Sequence, residues 1–458
     1  MPEISVVILA AGAGKRMKSD LPKVLHPLCG LPMIEHVLKS AHAVRAKQTI
    51  VVASKKSDPV SQYFRNNSKI KIAYQGQALG TGHAVHSAEK FLKRSKGYVV
   101  ILYGDDPLVK PETLRKFVDT VVKEKKTLGF VTAILPNPFG LGRIVRNPMG
   151  DAEKVVEEKE ATEEIKKIKE INTGIYCVQS EWLLQTLKKL EKHPVTGEYY
   201  LTDIVEEAIA EGVRVLGFVG EDPDEFCGIN NRKELARADE IIRGRLIEYW
   251  FSKGVAFIDP RHVYLDATVT IGEGSLIYPQ TFLYGKTKIG KNCLIDSGSI
   301  LRDMVVGDGV TIKPYCVLEE SVLEKEAVVG PFARLRPHSH VGPRAHIGNF
   351  VELKKTKIGK GAKANHLSYL GDAVIGEEAN IGCGTITCNY DGVKKYPTKI
   401  GKKVFVGSDV SLVAPVTIGD GATIGAGSII TDNVPPGALA IARQRQINKK
   451  NWAKKRKK

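Results

Sequence analysis

Hydrophobic residues follow two different periods along the chain, and the first half shows short apolar runs separated by amphipathic stretches. The runs predict four buried strands, Ile4–Leu9, Thr49–Ala53, Ile70–Ala73 and Tyr98–Leu102. Apolar residues three or four positions apart predict two helices, Met33–Val44 and Pro111–Glu124. This alternation predicts an α/β fold with an open, mostly parallel sheet and helices on both faces. Because ligands bind beyond the carboxyl ends of such strands, the loops after Leu9 and Leu102 are expected to carry chemistry.

One long helix is predicted between the two halves, from Asn231 to Phe251. Its apolar stripe consists of side chains spaced three or four positions apart, namely Leu235, Ala238, Ile242, Leu246 and Tyr249. Gly254 follows as a residue that ends the helix. The helix is therefore expected to connect two domains.

After Gly254, aliphatic residues recur every six positions. The repeat is clearest at Ile271, Ile277, Leu283, Ile289, Ile295 and Leu301, and it resumes over Val306–Leu318, Val329–Leu353 and Ile400–Ile430. This period predicts a parallel β-helix in which each hexapeptide forms one of three faces and points its aliphatic residue inward. Antiparallel strands with frequent turns are the alternative, but they do not require so regular a spacing. The repeat is interrupted at Ala364–Ala373 and Gly384–Lys399, where binding residues are expected.

The composition adds a strong positive charge to this picture. The 458 residues carry a formal net charge of +17, and 43% are hydrophobic, which excludes a disordered chain and favours anionic partners. Nucleic acid, acidic lipid and nucleotide phosphates fit that charge equally well. No apolar run approaches the ~20 residues that cross a bilayer, and no signal peptide is recognisable. Seven cysteines without a C-x-x-C pair favour free thiols in a reducing cytoplasm over a zinc site or disulfides.

The segment Leu9–Met17, directly after the first strand, is a glycine-rich loop. It is not a Walker A motif, because Leu9 stands where the first Gly is needed and Arg16 replaces the Ser or Thr. It is not a dinucleotide fingerprint, because Met17 occupies the place of the third Gly. The glycines still let backbone N–H groups approach an anion, and Lys15, Arg16 and Lys23 add positive charge. A phosphate-binding loop and a plain glycine-rich turn are both open at this point.

The wider motif narrows this choice. L-A-A-G-x-G-x-R-M from Leu9, followed by L-P-K at 21–23, resembles the signature of sugar-1-phosphate nucleotidyltransferases, and Gly104-Asp105 resembles their metal-binding turn. The predicted β-helix after that domain limits the resemblance to families that combine the two domains. The whole chain resembles the bacterial bifunctional N-acetylglucosamine-1-phosphate uridylyltransferase/glucosamine-1-phosphate N-acetyltransferase family, on the stretches Gln75–His83, Ile171–Ile175, Gly197–Asp203 and Gly228–Arg232.

The resemblance implies a Rossmann-like α/β nucleotidyltransferase domain at residues 1–232, a linker helix at 233–253 and a left-handed parallel β-helix of hexapeptide repeats at 254–458. It also implies two activities. Glucosamine-1-phosphate is acetylated with acetyl-CoA, and UMP is then transferred from UTP to N-acetylglucosamine-1-phosphate with release of pyrophosphate. The product, UDP-N-acetylglucosamine, feeds the precursors of peptidoglycan and lipopolysaccharide. The family implies a cytoplasmic homotrimer with no nucleic-acid or membrane partner.

For the uridylyltransferase site, the resemblance implies a set of nucleotide and sugar contacts. The matched residues are Leu9, Ala10, Ala11, Gly12, Lys23, Gln75, Gly80, Thr81, Tyr103, Gly104, Asp105, Gly142, Glu157, Asn172 and Asn230. Arg16 and Lys23 match residues that hold the phosphates and assist catalysis, while Asp105 and Asn230 match ligands of Mg²⁺. Both substrates are anions, so cations are needed at their meeting point. Asp106, which the family does not fix, is expected to be a solvated carboxylate.

For the acetyltransferase site, the resemblance implies that His366 is the general base that deprotonates the amino sugar. An imidazole suits this role because its ordinary pKa lies near ~6.5. The matched sugar-phosphate contacts are Arg336, Lys354, Tyr369 and Asn380, and the matched acetyl-CoA contacts are Cys383, Asn389, Tyr390, Ser408, Ala426 and Arg443. Cys383 stands where the family often has Ala, and direct attack by the amine needs no acyl-cysteine. The basic tail Lys449–Lys458 is expected to be a solvated segment rather than a nucleic-acid-binding arm.

Two other functions compete with the bifunctional enzyme. In the first, the protein is a sugar-1-phosphate nucleotidyltransferase whose β-helix is only regulatory, and His366, Lys354 and the Asn389-Tyr390 pair argue against it. In the second, the protein is a non-enzymatic assembly scaffold, which has no need of Asp105 and Asn230. Thiol release from acetyl-CoA and pyrophosphate release from UTP distinguish the three hypotheses.

Overall fold

The computed structural model describes residues 2–12, 14–194 and 196–453. Ala13, the Lys15 side chain and the last five residues of the basic tail lie outside the described part, whereas residues 449–453 of that tail are exposed. The chain forms two compact units, Met1–Ile242 and Arg243–Lys458.

The first unit is built on a nine-stranded sheet with helices around it. Its strands, together with the short pair β2 and β3, are β1 (Ile4–Leu9), β2 (Pro27–Leu28), β3 (Leu31–Pro32), β4 (Gln48–Ala53), β5 (Ile70–Tyr74), β6 (Tyr98–Tyr103), β7 (Leu128–Ile134), β8 (Arg143–Arg146), β9 (Ala152–Val156), β10 (Glu170–Gln179) and β11 (Val215–Val219). Its helices are α1 (Met33–His42), α2 (Pro59–Tyr63), α3 (Thr81–His86), α4 (Glu89–Leu92), α5 (Pro111–Lys123), α6 (Glu163–Lys166), α7 (Ser180–Thr186) and α8 (Asp203–Ala210). Single 3₁₀ turns lie at Lys15–Met17, Lys23–Leu25 and Pro223–Phe226.

The strand order is β11-β7-β10-β6-β1-β4-β5, and β8 and β9 form a hairpin that continues from β10. β1 pairs in parallel with β4 and β6, and β7 pairs in parallel with β11. Only β10 on this path runs antiparallel to its neighbours β6 and β7. The predicted mostly parallel α/β sheet is therefore confirmed, and the antiparallel insertion of β10 is a feature that the alternation of runs did not predict.

The central strand β1 explains why helices cover both faces of the sheet. Val6 and Ile8 belong to one buried cluster with residues of α1 and α5, while Val7 and Leu9 belong to a second cluster on the other face. Successive side chains of a strand point to opposite faces, so a strand buried along its length, as β1 is, needs both faces covered. All four predicted strands are present, and they differ from their predicted bounds by at most one residue at an end.

The helix α9 (Arg232–Ser252) begins and ends within one residue of the predicted long helix. Beyond it, residues 256–440 form a left-handed parallel β-helix with three faces, and a 3₁₀ turn lies at Pro260–His262. Face 1 contains Ala256–Phe257, Leu276–Ile277, Leu294–Ile295, Thr311–Ile312, Val328–Val329, His346–Asn349, Lys363–His366, Asn380–Ile381, Phe405–Val406, Thr423–Ile424 and Leu439–Ala440. Face 2 contains Val263–Leu265, Thr281–Tyr284, Ile300–Arg302, Val317–Glu319, Arg334–Leu335, Glu352–Lys354, Tyr369–Gly371, Ile386–Cys388, Ser411–Val413 and Ile429–Ile430. Face 3 contains Thr270–Ile271, Lys288–Ile289, Val305–Val306, Val322–Leu323, His340–Val341, Lys357–Ile358, Ala373–Ile375, Thr398–Ile400 and Val416–Ile418.

The inward positions of the coils stack on one another and form a continuous core. On face 2, for example, Leu335 pairs with Leu353, and Leu353 pairs with Leu370. Each of these side chains is fully buried. The six-residue repeat of aliphatic residues therefore predicts both the fold and the residues of its core.

The predicted interruption at Ala364–Ala373 is wrong. The strands Lys363–His366, Tyr369–Gly371 and Ala373–Ile375 continue the three faces without a break. Ala364 pairs with Ile347 and Ile381, so its methyl group occupies an inward position that a pattern of larger aliphatic residues does not reveal. The second interruption is confirmed, because the chain leaves the coil between Ile386–Cys388 and Thr398–Ile400.

Stacked coils leave no room for a side chain at Gly348, which follows the inward Ile347. A Cβ atom there would collide with the carbonyl oxygen of Asn365 in the next coil. We expect Gly348→Ala to lower the free energy of unfolding of this unit by about 1–3 kcal/mol, the usual cost of overpacking. Urea denaturation measures this change.

Gly244→Ala is the matched control for that substitution. Gly244 lies in α9, and nothing lies within 4 Å of a Cβ atom placed on it. Alanine is favoured over glycine in a helix by up to about 1 kcal/mol, so the control is expected to be as stable as the natural protein or more so. Equal denaturation midpoints for Gly348→Ala and the natural protein would contradict the tight stacking described above.

Candidate active sites

The predicted nucleotide residues surround a cavity of about 260 Å³ at the carboxyl ends of β1 and β6. The cavity is lined by predicted residues, Leu9, Ala10, Ala11, Gly12, Lys23, Gln75, Gly80, Thr81, Tyr103 and Asp105, and by residues that were not predicted, Val24, Ala78, Ala84 and Glu198. Of the other predicted nucleotide and phosphate residues, Gly104 lies in the turn that joins Tyr103 to Asp105, and the Arg16 side chain donates to Asn230. The structure therefore brings the three loops that carry these motifs to one place.

Close backbone approaches explain two of the predicted glycines. A Cβ atom on Gly104 would lie 3.1 Å from Leu9 O, the oxygen to which the Gly104 N–H donates at 2.9 Å, so the ends of β1 and β6 approach closely here. Gly80 has a φ of +98°, and a Cβ atom on it would lie 2.5 Å from Tyr199 O. Only glycine fits such a conformation and such a contact. These glycines therefore shape the cavity wall.

Four predicted charged or polar groups converge at the mouth of this cavity. The Lys23 ammonium donates to the Asp105 carboxylate and, at 3.2 Å, to Asn230 Oδ1. Arg16 Nη2 donates to the same Asn230 oxygen at 2.8 Å. The N–H of Asn230 donates to Glu234 Oε2 at 2.6 Å, which fixes the start of α9 beside the site. Residues far apart in sequence thus assemble a compact polar centre.

The two oxygens of this centre suit a hard divalent cation. The Lys23 ammonium lies between the oxygens of Asp105 and Asn230, and these two oxygens would also face a bound metal ion. Carboxylate and amide oxygens are ligands that Mg²⁺ accepts, and Mg²⁺ usually keeps water and substrate phosphates as further ligands. Within the described residues no group of three or more His, Cys, Asp or Glu side chains could hold a metal on its own. The residues present therefore fit a metal that the substrate helps to bind.

Asp106 is not the solvated carboxylate that the sequence analysis predicted. Its side chain is half-buried beside a small cavity that Ser40 and Val109 also line. Burial raises the pKa of Asp106 well above its ordinary value, the neighbouring Asp105 raises it further, and Lys23 opposes the shift. The prediction failed because an adjacent pair of acidic residues does not indicate which of them faces the protein interior.

The predicted sugar residues form a second cluster next to the cavity. The N–H of Asn172 donates to Gly142 O at 2.9 Å, and a Cβ atom on Gly142 would lie 3.5 Å from Glu157 Oε1. Asn172 Nδ2 donates to the Tyr176 hydroxyl at 2.7 Å. Burial raises the pKa of Glu157, and Glu160 raises it further. Gly142, Glu157 and Asn172 thus lie within a few ångströms of one another although three separate strands or loops supply them.

Tyr103 joins this cluster to the nucleotide cavity. Its ring contacts Gly174, whose φ is +82° and where a Cβ atom would lie 2.5 Å from the ring. Burial raises the pKa of Tyr103, and a hydrogen bond with the Thr81 side chain opposes the shift.

Neither Glu198 nor Asp203 was assigned a role from the sequence, although both lie in the Gly197–Asp203 stretch. Burial raises the pKa of Asp203 to about 6, with Glu206 as the next contributor.

In the second unit, His366 is exposed at one edge of the β-helix. It is the last residue of Lys363–His366 on face 1, so it lies on a coil rather than in an interrupting loop. His366 Nδ1 lies 2.9 Å from Asn349 Oδ1 in the preceding coil. An amide oxygen can only accept, so we assign the proton to Nδ1, which leaves Nε2 as an acceptor.

Four of the predicted coenzyme residues lie along the same edge as His366 or at its end. These residues form a column in which each member lies two residues after an inward-pointing residue of face 1. The column consists of Asn349, His366, Cys383, Ser408 and Ala426. Neighbouring coils of a parallel sheet are about 4.8 Å apart, so the column is extended along the β-helix axis. Arg443 lies at its end, since a Cβ atom on Gly427 would be 3.9 Å from Arg443 Cδ.

The predicted phosphate residues Arg336 and Lys354 lie at the opposite edge of face 2, where its strands end. Arg336 Nη1 lies 3.1 Å from Glu352 Oε1. The ammonium of Lys395 lies near Lys354 and lowers the pKa of Lys354, and desolvation and Arg336 lower it further. Lys395 was not predicted. It lies in the interruption of the repeat, which is the only signal that could have indicated it.

A tight hairpin holds Lys395 in place. Tyr390 and Lys395 form an antiparallel bridge, and Asp391 Oδ1 accepts from the N–H groups of Val393 and Lys394 at 2.8 and 2.6 Å. The N–H of Tyr396 donates to Asn389 O at 2.9 Å. The inserted segment is therefore an ordered element, and its geometry directs Lys395 towards Lys354.

Tyr369 lies across face 2, between the two edges. A Cβ atom on Gly371 would lie 2.5 Å from Tyr369 Oη and 2.8 Å from Asn389 Nδ2, so both side chains use the space that this glycine leaves. Asn389 Nδ2 donates to Asp372 Oδ2 at 2.6 Å. Asn380 lies on the outer side of face 1, and Tyr390 is exposed. All the predicted residues of the second unit thus lie around face 2 or on the adjoining side of face 1.

The chain was also compared with known proteins. A family model described as nucleotidyl transferase matches residues 5–252, and one described as bacterial transferase hexapeptide (six repeats) matches residues 397–432. The chain is 45% identical over 457 residues to the bifunctional protein GlmU of Geotalea uraniireducens, which covers 100% of both chains. It is 46% identical over 456 residues to that of Caldanaerobacter subterraneus subsp. tengcongensis, covering 100% of this chain and 99% of the relative. It is 44% identical over 450 residues to that of Streptococcus agalactiae serotype V, covering 98% and 97%. None of the described helices is long and apolar enough to cross a membrane.

Proposed function

Because this chain belongs to the family of bifunctional GlmU proteins, which it matches over its full length, we propose that its two clusters of matched residues are two separate active sites. The protein is a glucosamine-1-phosphate N-acetyltransferase and a UDP-N-acetylglucosamine diphosphorylase. One observation carries the assignment of the sites: matched residues that are distant in sequence lie around one cavity in the first unit and around one face of the β-helix in the second. We assign uridylyl transfer to residues 1–232 and acetyl transfer to residues 254–458, with 233–253 as the linker.

In the first site, UTP occupies the cavity between the loops after β1 and β6. Lys23 and Arg16 neutralise the phosphates, and the glycine-rich loop offers backbone N–H groups to them. The sugar phosphate enters from the side of Gly142, Glu157 and Asn172, where its oxygen can attack the α-phosphorus. Mg²⁺ held by Asp105 and Asn230 would neutralise charge on the reacting phosphates when it is bound. No covalent intermediate with the protein is needed.

In the second site, the cations Arg336, Lys354 and Lys395 hold the phosphate of glucosamine-1-phosphate. The ammonium of the sugar must lose a proton before it can attack a thioester, and His366 accepts that proton at Nε2. Asn349 keeps the imidazole in the required tautomer. The amine then attacks the acetyl carbonyl directly, and the thiolate of CoA leaves. Acetyl-CoA lies along the column from His366 to Ala426, so Cys383 contacts the coenzyme without forming a bond to it.

We further propose that the protein acts as a cytoplasmic homotrimer. Tyr315, Phe332 and Phe350 form a stacked ladder beside the His366 column, with ring centroids 5.4 and 5.2 Å apart. Each of the three rings is about half exposed, and contiguous apolar surface of this kind is typical of interfaces. A trimer that buries the ladder should have three times the 50.1 kDa mass of one chain in light scattering. A monomer at micromolar concentration would contradict the proposal.

Product analysis with omissions tests the proposed function. The protein is incubated with glucosamine-1-phosphate, acetyl-CoA, UTP and Mg²⁺, and each component is left out in turn. We expect UDP-N-acetylglucosamine only in the complete mixture, N-acetylglucosamine-1-phosphate without UTP, and no thiol release without the amino sugar. Chelation of Mg²⁺ by EDTA should stop pyrophosphate release and leave CoA release intact. Absence of thiol release would favour a merely regulatory β-helix, and absence of pyrophosphate release would favour a scaffold.

Lys395 provides a test of the phosphate-binding cluster. We expect Lys395→Met to raise KM for glucosamine-1-phosphate about tenfold, because a charged hydrogen bond to a phosphate contributes about 1.5–3 kcal/mol. KM for acetyl-CoA should stay within about twofold. CoA release measured at varied sugar phosphate gives both constants. Lys394→Met, on the preceding residue of the same hairpin, is the control, and equal KM values in the two variants would exclude a specific role for Lys395.

A further inference from the structure

An ion pair lies within the hairpin that carries two of the proposed sugar contacts. Arg143 Nη2 lies 2.7 Å from Glu158 Oε2, and the two side chains are only 2% and 19% exposed. Arg143 directly follows Gly142 at the start of β8, and Glu158 directly follows Glu157 beyond the end of β9. Each member of the ion pair is therefore the chain neighbour of one residue assigned to the sugar.

Arg143 also ties the hairpin to its surroundings through the backbone. Its Nε donates to Ile168 O at 3.1 Å, and its Nη1 donates to Leu141 O. Glu158 Oε2 accepts in addition from the Gly140 N–H at 3.0 Å. A guanidinium offers a rigid fork of donors, so these bonds hold three segments in a single geometry.

The charge of Glu158 is maintained in this environment. Burial by itself would raise the pKa of Glu158, but the Gly140 N–H and the Arg143 guanidinium hold it below its ordinary value. The pair is therefore ionised at neutral pH. Removal of one charge leaves the other buried without its partner, so the local structure has to rearrange.

We propose that Arg143 and Glu158 are positioning residues that set the gap between Gly142 and Glu157 and thereby the affinity for the acceptor sugar phosphate. This inference rests on the proposed uridylyl transfer. Neither side chain contacts the substrate, and both act through the residue that precedes them. The gap is narrow, since a Cβ atom on Gly142 would lie 3.5 Å from Glu157 Oε1, so a small displacement of either strand changes the fit of a sugar. The nucleotide cavity is built on other loops, so KM for UTP should be unaffected by such a displacement.

Glu158→Gln tests the inference, because it removes the charge and keeps the shape. We expect KM for N-acetylglucosamine-1-phosphate to rise about tenfold while KM for UTP stays within about twofold, since misplacement of a binding group by about 1 Å can cost up to 10²-fold. Pyrophosphate release measures both constants. Glu153→Gln is the control, because Glu153 is exposed on β9 of the same hairpin and undergoes the same chemical change without an effect on either constant.

Arg143→Lys provides a second variant that retains the charge but cannot reproduce the fork of donors. The same selective rise in KM for the sugar phosphate is expected. The positioning role would be overturned if KM for UTP rose in parallel with KM for the sugar phosphate. It would also be overturned if the melting temperature fell and kcat and both KM values changed together, or if no constant changed. If the natural protein itself releases no pyrophosphate with N-acetylglucosamine-1-phosphate, the proposed function fails, which is a distinguishable result.

Discussion

His366→Ala is expected to lower the rate of CoA release by about 10²–10⁴-fold, which is the usual contribution of a general base. The imidazole is exposed at the edge of the β-helix, and Asn349 fixes its Nδ1, so no other group of the column replaces Nε2 as a proton acceptor. Uridylyl transfer, measured as pyrophosphate release with N-acetylglucosamine-1-phosphate, should be unchanged. A thiol-release assay and a pyrophosphate assay on the same preparation measure both effects.

His262→Ala is the control for this substitution, because His262 is exposed in the same unit and its side chain pairs with Asp259 at 2.8 Å, away from the His366 column. It should leave both activities intact. Retention of full CoA release in His366→Ala would contradict its role as the base. Loss of pyrophosphate release as well, in a folded protein, would contradict the separation of the two sites.

The second large effect is a selective loss of uridylyl transfer. Asp105→Ala is expected to lower pyrophosphate release by about 10³-fold while CoA release continues, because it removes a carboxylate that contacts Lys23 and would ligate the metal. The loss of Asp105 also leaves Lys23 and Arg16 competing for Asn230 alone. Pyrophosphate release over a range of Mg²⁺ concentrations measures the change, and high Mg²⁺ should not restore the rate.

Asp119→Ala is the matched control, since Asp119 is exposed on α5 and contacts Arg115 at 3.6 Å. Removal of this carboxylate should leave pyrophosphate release unchanged. If Asp105→Ala retained more than about a tenth of the natural rate, the charged centre at the mouth of the cavity would not be where the phosphates react.

The sequence predicted the features that depend on local periodicity. Continuous burial along β1 and the six-residue repeat each have a direct physical cause, because a polar side chain at a buried position is costly without a hydrogen-bond partner. The strand bounds and the inward positions Leu335, Leu353 and Ile347 follow from this rule. Ala364 shows its limit, because a small residue can occupy an inward position without adding to the pattern.

Features that depend on contacts between distant segments were not predictable in the same way. The antiparallel strand β10, the half-burial of Asp106 and the contact of Lys395 with Lys354 are all set by where other parts of the chain lie. The matched motifs did indicate most residues of the nucleotide cavity, since each motif carries its own loop geometry. The Arg143–Glu158 pair had no sequence signal, because only the fold of the hairpin brings the two charges together.

The β-helix has a consequence for how such a protein can vary in size. The coils between Ala256 and Val306 contain none of the residues assigned to acetyl transfer or to the aromatic ladder, whereas His366 and its column contact the coils directly above and below them. In a repeat protein each unit contacts its neighbours alone. Evolution or design can therefore add or delete a whole coil within this stretch and leave the contacts of the acetyl-transfer residues unchanged.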